Sequence, residues 1–151
     1  MQSAFSPDGY ANLVSRIRQM TPETPRQWGT MSVSQMLDHM NIYMEIAANE
    51  RKLGLAVPGV FRPLLRLVYL TWGFRFSRNL PTAPVLKSQA PAAADFDRHR
   101  DRSLELLDRL RHYAEANHPQ PPVNPLFGRG WKVWGQALWV HYDHHLRQFG
   151  V

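Results

Sequence analysis

The chain is 151 residues long, the size of one domain spanning residues 1–151, and enough to bury about two-thirds of the surface its unfolded form exposes. It contains no cysteine, which excludes disulfides, thiolate metal ligands and a cysteine nucleophile. The net charge of +6 raises nucleic acid as a partner. The arginines are interleaved with Asp and Glu, however, and no helix-turn-helix or aromatic-basic motif is visible, so specific nucleic-acid binding is disfavoured.

Taken in chain order, the apolar periodicity predicts helices and no strand, hence an all-α fold. The first helix covers residues 7–20, with Tyr10, Leu13, Val14 and Ile17 inward, and is stopped by Thr21-Pro-Glu-Thr-Pro25. Neither a basic start nor an apolar stretch precedes it, so no signal peptide and a cytoplasmic location are expected. The second helix covers residues 33–49. Ser32 and Gln35 have the spacing of a capping box, and Val33, Met36, Leu37, Met40, Met44 and Ala47 form its apolar stripe, with His39 at the edge.

A connection from 51 to 94 follows, too long for a bundle loop. Within it, residues 60–72 read as a short extra helix with Phe61, Leu64, Leu65, Val68, Tyr69 and Trp72 on one face and Arg62 and Arg66 on the other. This stretch is too short and too charged to span a membrane. It is expected to pack as a lid over the other helices, a dimer face or a membrane-surface helix being the alternatives. Residues 79–84 form a turn-rich strap, and residues 90–94 an alanine and proline loop. The next helix covers residues 95–117, with Phe96, Leu104, Leu107, Leu110 and Tyr113 inward and with His99 and His112 on its charged, solvated side.

The last helix opens near Gly130. Trp131, Trp134, Leu138, Tyr142 and Phe149 mark one face, and at about 100° per residue His141 and His145 fall within it while Asp143 falls opposite. Two histidines four apart on one helical face present ring nitrogens to one point, as metal-binding helices do. The alternative is a pair of core histidines bonded to neighbouring carbonyls or hydroxyls. A catalytic metal usually takes three protein ligands, and His39 is the best third histidine because a stripe-edge position reaches a cleft between helices. His144 falls at the stripe margin. Three neutral imidazoles accept zinc, nickel, iron or copper.

Trp28 to His39, Asn79-Leu-Pro-Thr-Ala-Pro84, Pro125-Leu-Phe-Gly128 and His141 to Phe149 together resemble the DinB-like superfamily (DinB/YfiT type), in a branch known only as a domain of unknown function. The resemblance runs from about Leu13 to Val151. It implies a four-helix bundle with a long crossover connection, and a divalent metal, zinc or nickel foremost, held by His39, His141 and His145. It also implies a homodimer, and it points to thiol-dependent transferases and an isomerase as related activities; a metal-activated water or thiolate makes hydrolysis and thiol transfer on a small molecule both available, with a low-molecular-weight thiol as one candidate substrate. Two departures stand out: Leu146-Arg147-Gln148 replaces Arg-Gly-Gln, and Asn124 stands where the branch tends to have His. Asp38, Tyr43, Asn124, His144 and Gln148 are candidates to support the ligands, Gln148 by orienting one of them. Tyr142 follows His141 where a His-Glu-x-x-His protease has its glutamate, which disfavours peptide hydrolysis. A non-catalytic metal- or ligand-binding module is the alternative function, followed by a basic helical protein acting on nucleic acid or a membrane surface. The positive charge also suits steering of small anionic substrates.

Overall fold

A computed structural model describes residues 2–52, 58–72, 75–78, 86–88, 90 and 95–151. The strap at 79–84 and residues 91–94 of the alanine and proline loop lie outside the described residues. Five α-helices and no strand occur among those described: α1 (Pro7–Gln19), α2 (Val33–Ala47), α3 (Arg62–Leu65), α4 (Phe96–Ala116) and α5 (Trp131–Gln148).

Side-chain caps open three of the four long helices, the one at Ser32 as its spacing predicts. Ser6 accepts a hydrogen bond from the Gly9 amide at 3.3 Å ahead of Pro7, a proline whose missing amide costs nothing at the first helical position. The Ser32–Gln35 capping box forms in both directions, at 3.0 and 3.2 Å. Asp95 caps α4 through the Arg98 amide, and Asn117, in the left-handed region at φ 51°, ends it.

Four long helices share one core. α2 packs most extensively on α4 and also touches α5, while α1 contacts both α4 and α5. Helix α2 is buried on nearly every side, its polar Ser34, His39 and Asn41 as well as its apolar stripe. Its interface with α4 holds a buried polar chain, in which Ser103 Oγ donates to Asn41 Oδ1 at 2.6 Å and Asn41 Nδ2 donates to the His99 carbonyl at 3.0 Å. The proline-rich segment before α5 earns its place through its carbonyls. Pro119 and Pro122 accept from the indole nitrogens of Trp131 and Trp134 at 3.0 and 2.7 Å.

Two expectations change here. His99 is buried rather than solvated, at 8% exposure, with its Nδ1 at 3.6 Å from Asp38. The charged neighbours in its sequence face solvent, but His99 itself falls on the face pressed to α2. The 60–72 stretch is not one helix: a 3₁₀ turn (Gly59–Phe61), the four-residue α3 and a π turn (Arg66–Thr71) follow each other. Leu70 is buried, and together with Leu65 and Tyr69 it joins Phe127, Val133 and Ala137 in a small second core beside α5. Val60, Phe61, Leu64 and Trp72 stay more than half exposed. The segment therefore covers the α5 flank through Leu65, Tyr69 and Leu70 and leaves its other large apolar side chains outward. No helix among the described residues is long and apolar enough to cross a membrane.

Candidate metal centre

His39 on α2 and His141 and His145 on α5 come together with ligand atoms all within 4.8 Å of one another. The i, i+4 spacing stacks the two α5 rings one turn apart, and the α2–α5 contact brings the third across. His39 Nε2 lies 2.9 Å from His141 Nε2, and His145 Nε2 lies 3.1 Å from the same atom. Imidazole nitrogens at zinc-bond lengths on a tetrahedral ion sit about 3.3 Å apart, so the three rings are close to a ligating separation.

The proton positions follow from the outer contacts. His39 Nδ1 is 2.6 Å from the Leu86 carbonyl, which can only accept, so this nitrogen carries the proton. Gln148 Nε2 donates to the Trp28 carbonyl at 2.9 Å, which turns Gln148 Oε1 toward His145 Nδ1 at 2.8 Å, and that nitrogen is likewise the donor. Both Nε2 atoms are thus left with lone pairs aimed at His141. Its one Nε2 can satisfy at most one of them with a proton, so an imidazole trio without a cation leaves a lone pair facing another nitrogen. A cation at the convergence point satisfies all three, and the donor set fits a divalent transition metal.

Glycine makes the Gln148 contact possible. Gly29 adopts φ +80°, where an L side chain is strained, and a Cβ there would collide with Gln148 Nε2.

Burial keeps the rings neutral. It pushes His145 down to about 3, helped by the neighbouring His39, and holds His141 well below the usual range, with His145 and His39 adding to the effect. His39 is lowered by burial as well. Neutral imidazole is the form that binds metal. An ordinary histidine titrates near 6.5, so between pH 6.5 and about 3 the unfolded chain holds a proton on residue 145 that the folded chain lacks. Stability is therefore full above pH 6.5 and falls as pH drops, by about 1.4 kcal/mol per pH unit from this residue. Metal-free protein is expected to show a lower urea midpoint at pH 5 than at pH 7, with a smaller difference in His145→Gln. A variant with the full pH dependence would show that residue 145 is not its source.

The other candidates distribute unevenly. Tyr43 packs edge-on against His141 at 4.7 Å, and burial keeps its hydroxyl protonated. Asn124 Nδ2 donates to that hydroxyl at 2.8 Å, while its Oδ1 accepts from the amides of Leu126 and Phe127. Asn124 therefore braces Tyr43 rather than facing the three Nε2 atoms. His144 packs against the His145 ring at 5.1 Å, and burial lowers its pKa, with Arg147 acting in the same direction. Asp38 turns away, accepting from Ser88 Oγ at 2.6 Å and lying beside His99. Among the described residues, no carboxylate joins the three histidines. Tyr142 is fully buried with its hydroxyl on Met44 Sδ at 3.6 Å, remote from any base role. The carbonyls of Leu86 and Trp28 had no sequence signal, since every residue carries one.

Residues 7–150 match one family model, described as Protein of unknown function (DUF1569). No curated protein and no solved structure matches the chain.

Proposed function

The chain belongs to the DUF1569 family, and we propose that it is a divalent-metal-binding protein of DinB-like four-helix architecture whose ligands are His39, His141 and His145. The observation that carries this reading is the convergence of three Nε2 atoms, two of them left as lone pairs by outer hydrogen bonds from Nδ1. Zinc or nickel suits three imidazoles best, with iron or copper also accepted. Held there, a divalent ion supplies Lewis acidity to a coordinated substrate atom.

The chain's own residues do the rest. Leu86 O and Gln148 Oε1 hold the rings in the ligating tautomer, and Tyr43, braced by Asn124, backs the His141 ring. Three neutral ligands leave the full charge of the ion uncompensated, which favours an anionic substrate atom such as a thiolate or carboxylate. With no carboxylate of the described residues among the three histidines, a nucleophile brought by the substrate is favoured over one activated by a protein base. We read the activity accordingly as transfer to or from a small molecule, with a low-molecular-weight thiol as one candidate and hydrolysis second. A homodimer in the cytoplasm completes the proposal.

The test is elemental analysis of untagged protein, zinc-loaded and desalted, without nickel columns. Wild type is expected to carry close to one equivalent, and His141→Ala and the His39→Ala, His141→Ala, His145→Ala triple variant less than a tenth of that. Equal metal in wild type and variants, or none in wild type after loading, would sink the reading.

A further inference from the structure

The excess positive charge of this chain is not spread evenly. On α4 four of the five arginines are matched by acids: Arg100 pairs with Asp97 and Asp101, Arg102 with Glu50 and Glu105, Arg109 with Glu50 and Arg111 with Glu115. Arg75 and Arg78, by contrast, form no ion pair among the described residues. Both line a cleft of about 290 Å³ between α5, Trp28 and the segment after the π turn. Arg147 lines it too, and the cleft's one carboxylate, Asp143, is already tied to Arg16 at 3.0 Å and to Arg147 at 3.5 Å.

The cleft's other walls are aromatic. Trp28, Tyr69, Phe76 and Trp139 line it, and the Arg78 guanidinium lies over the Trp28 ring at 4.5 Å. Stacking occupies the face of a guanidinium and leaves its in-plane N–H fork free to grip an oxyanion. His144 lines the cleft as well, and the Phe76 ring lies 6.3 Å from His141 and 6.0 Å from His144. The volume is at the low end of clefts that enclose a small molecule, which suits a single-ring compound and not a polymer.

We propose that this cleft binds a small aromatic oxyanion, a carboxylate or phosphate monoester held by Arg75 and Arg78, with its ring against Trp28 and Phe76. As the substrate class of the metal centre, this rests on the reading above. As a binding site, it stands on the cleft alone. Two guanidiniums without acids of their own supply the charge, the flat walls supply the apolar contact, and the lining residues Phe76 and His144, which pack on His141 and His145, set the cleft on the flank of the three histidines.

The experiment is calorimetric titration of metal-free protein at low salt with benzoate, phenyl phosphate and neutral benzyl alcohol. Wild type is compared with the Arg75→Gln, Arg78→Gln double variant, whose changes are at exposed positions. Saturable binding of benzoate or phenyl phosphate, weakened by added salt and at least tenfold weaker in the variant, is expected, with benzyl alcohol not binding. The tighter of the two anions identifies the headgroup. Benzyl alcohol binding as well as the anions, anion affinity unchanged in the variant, or no anion binding at all would overturn the assignment. Zinc uptake is read on the same samples. Anion binding without zinc uptake would remove the metal reading and keep the cleft, whereas zinc uptake without anion binding would do the reverse.

Discussion

Zinc added to metal-free protein is expected to raise its unfolding free energy by about 4 kcal/mol when free zinc exceeds the dissociation constant a thousandfold. His141→Ala should abolish that gain. The proposed ligands come from α2 and α5, 102 residues apart along the chain from His39 to His141, so an ion held by all three would exist only when those helices are docked. The unfolded chain offers no such trio, and the binding free energy therefore appears as folding stability. Gln148→Leu tests the outer contact separately. Without an acceptor for His145 Nδ1 the ligating tautomer is no longer selected, and zinc affinity should fall about 10- to 100-fold. Urea unfolding with and without zinc and chelator measures both. A zinc gain that survives in His141→Ala would place the metal on other histidines, such as the exposed His112, and remove the centre assigned above.

Trp134→Ala is expected to cost about 3–5 kcal/mol. Trp134 is 0% exposed, its indole nitrogen donates to the Pro122 carbonyl at 2.7 Å, and its ring lies 5.2 Å from Tyr43. Truncation opens a cavity at the centre of the core and strands a carbonyl that the indole had satisfied. Trp134→Phe keeps much of the ring contact and loses the hydrogen bond, so it should cost clearly less. Because Tyr43 sits between Trp134 and His141, the alanine variant should also weaken zinc binding, although it removes no ligand. Chemical denaturation gives the first number and zinc titration the second. A loss below about 1.5 kcal/mol would mean that the surroundings collapse into the space.

Much of the molecule is legible from local pattern. The cap at Ser32 and the apolar spacings from Phe96 to Tyr113 and from Trp131 to Phe149 locate α2, α4 and α5 to within a residue or two. The i, i+4 placement of His141 and His145 is a consequence of helical geometry alone, so their convergence needed no tertiary information. His39 was legible as a stripe-edge residue, and Gln148 as a partner one turn away on the same helix. These features depend on neighbours three or four residues distant, where periodicity carries the information.

What tertiary structure decided involves groups far apart in sequence. The charged neighbours of His99 suggested a wet face, but the α2–α4 interface buries it beside Asp38, and that same contact turns Asp38 away from the histidines. The 60–72 stretch shows a helical apolar pattern, yet the chain runs through 3₁₀, α and π turns in succession, with Leu65, Tyr69 and Leu70 packed beside α5 and Val60, Phe61, Leu64 and Trp72 exposed. The proton positions of the centre depend on the carbonyls of Leu86 and Trp28, 47 and 120 residues from the side chains they bind. Composition determined an excess of positive charge. Only the fold, by matching most α4 arginines with acids and setting Arg75 and Arg78 without them beside aromatic walls, decided which of that charge faces a cleft.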